Sequence, residues 1–479
     1  MIPTSNHQQN KQNAHCFDII IIGAGLVGCA MARKFTLAGA SVLTLEKGAD
    51  ILDGASKGNS AILHTGFDAP PDSIEQSCIA DSYQEFISLR KKLHLPLMKT
   101  GALVLAWTDD EAERLDGIIK KAYRNQVQDV ELLNATRILN KEPQLANHVK
   151  AGVYVPREYV IDPWTTPYVY MRQALVNGAK LNCSCEVLNG EFNGEQWQLK
   201  TNQGEFKART VINCAGLYGD VIDQHLIGSS TFQIRPRKGQ FLVYDTPAHR
   251  LIHSIILPVP NEITKGVVIC RTAFGKLLVG PTAEEQDDRD DASVDSETLQ
   301  SLRKKGEELL PALADVPINA TYAGIRPATE FKDYVINHHQ DKHYISVGGI
   351  RSTGLTAALG IANYVFKKHT DDTQAYSTPE KIIYPDKLHQ IAENETRDWQ
   401  MRGNKGIVCH CERVTEREIE TALHDPHLAP ASLDGLKRRT RVTMGRCQGF
   451  YCSAKLSEMT EGYFQQAIAE NIKQENYNG

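Results

Sequence analysis

Four cysteines near the C-terminal end of the chain have the number and spacing of a metal-binding set. They form a C-x-C pair, Cys409 and Cys411, and a C-x4-C pair, Cys447 and Cys452. Four thiolates are the ligand set of a [2Fe–2S] cluster, and they also suit a tetrahedral zinc ion. Because common zinc sites use C-x2-C pairs, the spacing favours a [2Fe–2S] cluster, with zinc or incidental thiols as the alternatives. We interpret His410 as a neighbour of this site and not as a ligand.

The remaining cysteines form no second set of this kind. The chain has eleven cysteines, and its first fifteen residues are polar, without the apolar segment of a signal peptide. We therefore expect a disordered tail over residues 1–16, reduced thiols and a cytoplasmic location, with peripheral contact to the inner face of a membrane left open. Cys183 and Cys185 also form a C-x-C pair. They lie in a predicted strand, 181–187, without a second pair, which favours a packing role.

The composition excludes several classes of protein. Hydrophobic residues make up 41% and charged residues 23% of the 479 residues, as in ordinary globular proteins. The sequence contains no apolar run of about 18 residues, the minimum for a membrane-spanning helix. The net charge of −5 gives no basic field that would attract nucleic acid. The acidic segment 284–294 is typical of a solvated loop.

A glycine-rich turn near the start of the chain predicts a dinucleotide site. Residues 17–46 have the pattern of a strand, a helix and a second strand, with G-x-G-x-x-G at the first turn. Gly23 permits the tight turn, Gly25 lets a pyrophosphate approach the backbone, and Gly28 lets the helix pack on the strand. The free N–H groups of the helix N-terminus attract phosphate. Glu46, at the end of the second strand, is positioned to accept the ribose hydroxyls.

Two later segments favour FAD over NAD as the dinucleotide. A strand from residue 210 runs into a turn of small residues that ends at Ala215 and Gly216. This segment resembles the second nucleotide contact of flavoproteins with two dinucleotide-binding domains. A further helix is predicted at 357–366, preceded by Gly354-Leu355-Thr356. Its N-terminus would face the flavin pyrimidine ring and stabilise negative charge on the reduced flavin. A dehydrogenase that uses NAD would not need these segments.

Six segments, in order along residues 17–368, resemble the D-amino-acid-oxidase superfamily of FAD-dependent oxidoreductases. They are SKGNSAILHTGFDAPP, YVIDPW, VINCAGLYGD, LLVGPTAE, AGIRPAT and GIRSTGLTAALGIA. Within the superfamily the chain is most similar to FAD-dependent glycerol-3-phosphate dehydrogenases and oxidases, and next to L-2-hydroxyglutarate dehydrogenases. The segments VCHCERVTEREIE and KRRTRVTMGRCQGFYC resemble the bacterioferritin-associated-ferredoxin-like [2Fe–2S] domain. That domain follows the flavin domain in the large subunit of anaerobic glycerol-3-phosphate dehydrogenase.

The predicted fold class is α/β. We expect a Rossmann-type FAD-binding domain interleaved with an α+β substrate domain that contains an antiparallel sheet, then a small helical iron–sulfur domain. Two predicted strands, 267–270 and 276–279, belong to the antiparallel sheet, with Gly275 at the turn between them. The expected boundaries are FAD-binding parts at about 17–70, 150–220 and 321–368, substrate parts at about 71–149 and 221–320, a linker at 369–405, the [2Fe–2S] domain at 406–460 and a tail at 461–479.

The resemblance implies roles for four residues at the substrate end of the flavin. His64, in the N-S-x-x-x-H segment, corresponds to the base that removes the hydroxyl proton of an alcohol, a task that suits a histidine. Arg326 matches the arginine that binds the substrate anion, and Lys265 approximates its lysine partner. A structural histidine and a surface salt bridge are the alternatives for His64 and Arg326. Arg351 departs from the related pattern, and an extra cation there would suit a more anionic substrate such as a dicarboxylate.

The resemblance also implies contacts with FAD from positions outside the first glycine turn. The further FAD-binding residues are Lys47, Ser56, Asn59, Ser60, Val187, Ala215, Gly216, Gly354, Leu355 and Thr356.

The [2Fe–2S] domain carries a capping box, Thr415 and Glu418, which predicts the start of a helix. Basic residues at 437, 438, 439, 441 and 446 would either offset the charge of the cluster or form a solvated face.

These observations predict an FAD-dependent dehydrogenase that oxidises a small anionic secondary alcohol. The first hypothesis is oxidation of glycerol 3-phosphate to dihydroxyacetone phosphate, with electrons passing through the [2Fe–2S] cluster to a quinone or a partner subunit. The second is oxidation of L-2-hydroxyglutarate or another 2-hydroxy acid. The third is a non-catalytic electron-transfer subunit of a larger complex, against which His64 and Arg326 argue.

Overall fold

The computed structural model describes residues 16–260, 266–371, 376–464 and 466–468. Lys265 and residues 1–15 of the predicted tail lie outside this part of the chain. Cys16, assigned to the tail by the sequence, instead begins the first strand. Within the described residues, none of the helices has both the length and the apolar character needed to cross a membrane.

The first sheet is built around a parallel pair of strands that begins the predicted βαβ unit. Cys16–Ile22 pairs in parallel with Val42–Leu45 on one side and with Gly204–Asn213 on the other. The first strand ends in the apolar run Ile19–Ile22, which is buried, and every residue of Val42–Leu45 is buried, as expected for strands at the centre of a covered parallel sheet. The strands of this sheet are Cys16–Ile22, Val42–Leu45, Lys180–Asn182, Val187–Phe192, Trp197–Thr201, Gly204–Asn213, Val335–His339 and Tyr344–Gly348.

The second sheet is mainly antiparallel and has a core of its own. Its longest strands, Ile234–Tyr244 and Ile318–Thr329, pair along almost their whole length. Val268–Arg271 and Leu277–Gly280 form the predicted antiparallel pair, and Gly275 lies at the turn between them with φ +74°. The other strands of this sheet are Ala102–Ala106, Glu131–Asn134, Ala151–Val155, Ile255–Pro258 and Glu284–Glu285.

A short third sheet and a set of surrounding helices complete the large unit. Two of these helices, Leu26–Leu37 and Gly354–Thr370, pack against each other, with the rings of Phe35 and Phe366 centred 5.2 Å apart. The strands of the third sheet are Ile62–Leu63, Leu97–Lys99 and Tyr159–Ile161. The other helices of this unit are Ile74–Leu89, Asp109–Glu113, Leu115–Arg124, Ala135–Lys141, Thr165–Val176, Gly219–Ile227 and Ser296–Leu309.

The C-terminal unit is a small helical domain with a separate apolar core. The predicted capping box is present: Thr415 Oγ1 accepts from the N–H of Glu418, and the Glu418 carboxylate accepts from the N–H of Thr415. Val414 and Leu436 lie at the centre of its core and are fully buried. Its elements are the strands Ile407–Cys409 and Val414–Thr415 and the helices Glu416–Leu423, Leu433–Thr440 and Ser453–Met459.

The prediction of one continuous strand over 181–187 is wrong, because the chain forms two shorter strands there. Lys180–Asn182 pairs with Val42–Leu45, whereas Val187–Phe192 begins a hairpin with Trp197–Thr201. The chain turns between them at Ser184, which has φ +53°. Cys183 and Cys185 therefore lie in a connection and not in a strand.

Candidate functional site

The predicted glycine turn is closed in by the backbone on two sides. Gly23 has φ +97°, and a Cβ added there would lie 2.6 Å from the carbonyl oxygen of Cys214. A Cβ at Gly28 would overlap the carbonyl oxygen of Gly23. Gly25 precedes the helix, and the N–H of Leu26 donates to Ser56 Oγ over 3.0 Å. A side chain at Gly23 or Gly28 would therefore collide with the backbone, so the turn needs glycine at both positions. Its contact with a pyrophosphate stays a prediction.

Glu46 lies beside this turn, as its position at the end of the second strand predicts. Its carboxylate accepts from the N–H of Ala24 at 2.6 Å and from the N–H of Gly48 at 2.7 Å. Burial raises the pKa of Glu46, and these two hydrogen bonds act in the opposite direction. The carboxylate thus joins the glycine turn to the loop after the second strand. Its contact with a ribose stays a prediction.

The second predicted nucleotide contact also forms a turn with little side-chain bulk. Gly216 has φ +56°, and no atom of the described residues lies within 4 Å of a Cβ placed on it. The N–H of Ala215 donates to Asn213 Oδ1 over 3.0 Å, which fixes the turn at the end of the strand. Lys47 lies over the ring of Tyr218 at 3.4 Å. The side chain of Val187 is buried in the core, and its contact with a cofactor stays a prediction.

The histidine segment and the late glycine segment come together, although almost 300 residues separate them. The N–H of His64 donates to Thr356 Oγ1 at 2.9 Å, and that hydroxyl donates to the carbonyl of Ile62 at 3.1 Å. Thr356 lies in the first turn of the helix Gly354–Thr370. Both segments predicted to face the flavin therefore share one surface of the fold.

A buried glutamate that the sequence analysis missed contacts His64. Glu158 Oε2 lies 2.9 Å from His64 Nδ1, and Glu158 is fully buried. Its other oxygen accepts from the N–H and the hydroxyl of Thr65 at 2.5 and 2.7 Å. The only signal in the sequence is an acidic residue between two short apolar strands, directly before the segment YVIDPW.

Arg326 is a partly buried cation without a counterion in the described part of the chain. It lies on the strand Ile318–Thr329, two residues after Gly324, whose backbone is in close contact with Gly58. Alternate residues of a strand share one face, so Arg326 faces the same side as the segment that leads to His64. Its Nη2 donates to the carbonyl of Thr282 at 3.2 Å.

The electrostatic surroundings of Arg326 make it a suitable anion site. Burial lowers its pKa to about 10, and repulsion from Arg237 on the neighbouring strand acts in the same direction. Attraction from the carboxylates of Glu284 and Glu285, neither of which is ion-paired with Arg326, acts in the opposite direction. Arg237 itself is paired with Glu285. A cation with reduced solvation and no paired carboxylate gains most from an anionic ligand.

Arg351, by contrast, is held by the protein itself. Its Nη2 lies 3.3 Å from Glu75 Oε2, and it also donates to the carbonyl of Lys332. The other oxygen of Glu75 accepts from Thr353 Oγ1 at 2.7 Å. This network lies at the start of the helix Gly354–Thr370. The charge of Arg351 is paired there with the carboxylate of Glu75.

The four C-terminal cysteines form two contacting pairs. The thiol of Cys452 has that of Cys409 as its neighbour, and the thiol of Cys411 has that of Cys447. Burial raises the pKa of Cys452 and of Cys411, and in each case the neighbouring thiol contributes to the increase. No three His, Cys, Asp or Glu side chains among the described residues form a site for a single metal ion. Two thiol pairs fit a cluster with two irons better than one tetrahedral zinc ion.

The loop between the last two cysteines stabilises negative charge on sulfur. The pKa of Cys447 is lowered, mainly because its sulfur accepts from the backbone N–H of Tyr451, with further N–H donors at Gly449 and Phe450. Such a run of N–H groups is a common surrounding for iron–sulfur ligands. Burial instead raises the pKa of Cys452 to about 12.

The basic residues of the C-terminal domain are ion-paired with the rest of the chain. Arg439 lies 2.6 Å from Asp50, and Arg438 lies 3.3 Å from Asp53. Arg441 is paired with Glu393 and with Glu412. The interpretation of a solvated basic face is therefore wrong for these three arginines, which are buried to 10% exposure or less. Asp50 and Asp53 follow Glu46, so the iron–sulfur domain docks beside the predicted dinucleotide site.

Comparison with known proteins identifies both units of the chain. Residues 18–367 match the family described as DAO, FAD dependent oxidoreductase. The chain belongs to this family. Residues 407–461 match the BFD-like [2Fe-2S] binding domain. The predicted fold class, the oxidoreductase activity and both cofactors, FAD and a [2Fe–2S] cluster, are thereby confirmed.

Relatives of this FAD-dependent oxidoreductase extend over nearly its whole length. It is 31% identical over 455 residues to glycerol 3-phosphate dehydrogenase of Caloramator mitchellensis, covering 92% of this chain and 93% of the relative. It is 25% identical to one subunit of the anaerobic glycerol-3-phosphate dehydrogenase of Escherichia coli, covering 95% and 90%. The FAD-bound L-alpha-glycerophosphate oxidase of Mycoplasma pneumoniae has the same fold, with a TM-score of 0.72 at 24% identity, covering 79% of this chain and all of that one.

Proposed function

We propose that this protein oxidises glycerol 3-phosphate to dihydroxyacetone phosphate. As an FAD-dependent oxidoreductase of this type it acts on a CH–OH donor. The observation that carries the choice of substrate is the guanidinium of Arg326, which has no ion-pair partner among the described residues and lies on the side of the strand that faces the His64 segment. Relatives that are named for glycerol 3-phosphate at up to 31% identity support the same substrate.

The residues of the chain account for binding and proton transfer in this reaction. Arg326 binds the phosphate of the substrate, because its planar guanidinium can donate two hydrogen bonds to one anion. His64 removes the proton of the secondary hydroxyl. FAD, when bound, accepts the hydrogen and the electron pair of the adjacent C–H bond. The glycine turn and Glu46 would hold the adenosine half of the cofactor, away from these groups.

The cysteine domain provides a route for electron transfer from the reduced flavin to an acceptor outside the protein. Reduced FAD carries two electrons, whereas a [2Fe–2S] cluster passes on one at a time. Cys411 is exposed at the surface of this domain. The neighbouring aromatic residues are exposed as well, Phe450 to 81% and Tyr451 to 78%. We infer delivery to an external acceptor, either a quinone or a partner subunit. The Escherichia coli relative is named as one subunit of its enzyme, which supports a partner subunit here.

The alternative substrate, a 2-hydroxy acid with two carboxylates, has less support. The hypothesis of a dicarboxylate substrate requires Arg351 as a second cation that binds the substrate. Arg351 is instead in contact with Glu75. A phosphate monoester needs one strong anion site, which Arg326 supplies.

Anaerobic mixing of the oxidised protein with candidate substrates tests the proposed function. Glycerol 3-phosphate should bleach the flavin absorbance, whereas glycerol, which lacks the anion, and L-2-hydroxyglutarate should not do so at equal concentration. Bleaching by L-2-hydroxyglutarate alone would transfer the assignment to the second hypothesis. No bleaching by any of the three, with dithionite still reducing the flavin, would favour the non-catalytic hypothesis.

Replacing Arg326 should affect substrate affinity more than the chemical step. In Arg326→Ala, the apparent affinity for glycerol 3-phosphate should fall about 10- to 150-fold, because a charge-assisted contact of about 1.5–3 kcal/mol is lost. Arg326→Lys should recover part of this, since lysine keeps the charge but not the planar fork. Stopped-flow flavin reduction at several substrate concentrations measures both quantities.

The matched control for Arg326 is Arg235, an exposed arginine on the neighbouring strand. Arg235→Ala should leave the concentration dependence of flavin reduction unchanged. If Arg326→Ala binds glycerol 3-phosphate as tightly as the wild-type protein, the phosphate site lies elsewhere.

A further inference from the structure

We propose that Glu158 is a positioning residue that fixes the protonation state of His64. The proposal rests on the proposed function, in which His64 is the base. The carboxylate of Glu158 connects two elements of the fold. Glu158 directly precedes the strand Tyr159–Ile161, and His64 directly follows the strand Ile62–Leu63. These two strands are paired, so the backbone holds the two side chains in register.

The contacts of the carboxylate are divided between its two oxygens. Oε1 accepts both from the N–H of Thr65, at 2.5 Å, and from its hydroxyl, at 2.7 Å. Oε2 faces His64 Nδ1 at 2.9 Å. A carboxylate can only accept hydrogen bonds, so Nδ1 must carry a proton. A neutral imidazole with its proton on Nδ1 has its lone pair on Nε2, the form that a base requires.

This arrangement serves the reaction at both of its stages. Before the reaction it presents the lone pair of Nε2. During the reaction the substrate O–H bond breaks and an N–H bond forms at Nε2, while the hydrogen and electron pair of the C–H bond pass to FAD. The imidazole then carries a positive charge, which the buried carboxylate stabilises, and the alcohol has become a ketone. Glu158 itself exchanges no proton.

Aromatic and basic side chains lie around Glu158. Tyr83 and Tyr159 lie next to it, and burial raises the pKa of Tyr83 further above its ordinary value. Arg157 is paired with Asp129 over 2.7 Å. The phosphate of glycerol 3-phosphate also titrates, at about pH 6. The difference between the pH profiles of the wild-type protein and the Glu158 variant, both measured with this substrate, therefore reports on His64.

A glutamine at position 158 would reverse the proton arrangement. The N–H of Thr65 can only donate, so the oxygen of the new amide must occupy the place of Oε1. The NH2 group then takes the place of Oε2 and donates to His64 Nδ1, which moves the imidazole proton to Nε2. The side chain keeps its shape, but His64 loses the lone pair that faces the substrate.

The first experiment is flavin reduction by glycerol 3-phosphate in Glu158→Gln. We expect the limiting rate to fall about 10²–10⁴-fold, as for loss of a general base, with little change in apparent substrate affinity. The acidic limb of its pH profile should move to lower pH or disappear, and Glu158→Asp should recover part of the rate. Glu142→Gln is the control, since Glu142 is also fully buried and accepts from the N–H groups of His253 and Ser254.

The second experiment needs no substrate and separates this inference from the proposed function. ¹⁵N-histidine NMR of the FAD-loaded protein should give a His64 signal with the proton on Nδ1, assigned by its loss in His64→Ala. In Glu158→Gln the proton should be on Nε2. A wild-type signal with the proton on Nε2 overturns the inference, and so does a Glu158→Gln protein with wild-type rate and pH profile. If glycerol 3-phosphate fails to reduce the wild-type flavin, the proposed function fails while the NMR result still decides the role of Glu158.

Discussion

In His64→Ala, flavin reduction by glycerol 3-phosphate should be about 10²–10⁴-fold slower than in the wild-type protein. A base acts on the proton as it leaves in the transition state, so its loss lowers the rate of reduction while substrate binding changes little. The phenotype is therefore the opposite of that expected for Arg326→Ala. Anaerobic stopped-flow measurements over a range of substrate concentrations separate the two.

The chain contains a second histidine near a buried glutamate, which serves as a control. His253 Nδ1 lies 3.6 Å from the buried carboxylate of Glu142, which is too far for a hydrogen bond, and its side chain is 68% exposed. His253→Ala should reduce flavin at the wild-type rate. If His64→Ala also reduces flavin at the wild-type rate across about pH 6–9, the range around the histidine titration, then His64 is structural and the proposed proton transfer is wrong.

Cys447→Ser should abolish the [2Fe–2S] cluster and electron delivery to the natural acceptor, while substrate still reduces the flavin. The backbone N–H of Tyr451 is the largest cause that lowers the pKa of Cys447, and the lowered pKa favours the thiolate that iron requires. A serine hydroxyl stays protonated near neutral pH and is a poor ligand. Anaerobically purified wild-type protein should contain about two iron atoms per chain, and the variant should contain almost none.

Cys183 supplies the control for the cysteine substitution. It belongs to the other C-x-C pair, far from the cluster ligands in sequence and without a second pair. Cys183→Ser should keep its iron and its rate of dye reduction. Stoichiometric zinc without iron in the wild-type protein, or full iron content in Cys447→Ser, would contradict the assignment of the cluster.

The parts of the site that could be predicted from sequence are those with a local pattern. The close spacing of the glycine turn, of Glu46 beside it and of the two cysteine pairs is visible within a few residues, because a turn or a ligand pair needs close spacing. The contacts of these residues with FAD and with the cluster stay predictions. The antiparallel pair around Gly275 was predictable for the same reason. The strand at 181–187 was not, because the composition of the segment does not show that Ser184 would turn the chain between two separate ladders.

The parts that could not be predicted depend on contacts between distant segments. Glu158 and His64 are 94 residues apart in sequence, and Arg439 and Asp50 are 389 apart. An isolated glutamate or arginine gives no indication of its partner, since most such side chains lie in solvent. These charged side chains meet only in the folded chain. A role for Glu158 can therefore be inferred from its contact with His64 and not from its place in the sequence.

The unequal burial of the cluster cysteines has a practical consequence for handling the protein. Cys409 and Cys452 are almost inaccessible, whereas Cys411 is exposed and Cys447 is intermediate. Oxygen and chelators therefore reach one side of the cluster first, and loss of iron should begin there. A preparation made in air should remain yellow with FAD while losing the brown colour of the cluster. Assays on such material would record only the first half of the reaction and would misidentify oxygen or the dye as its natural acceptor.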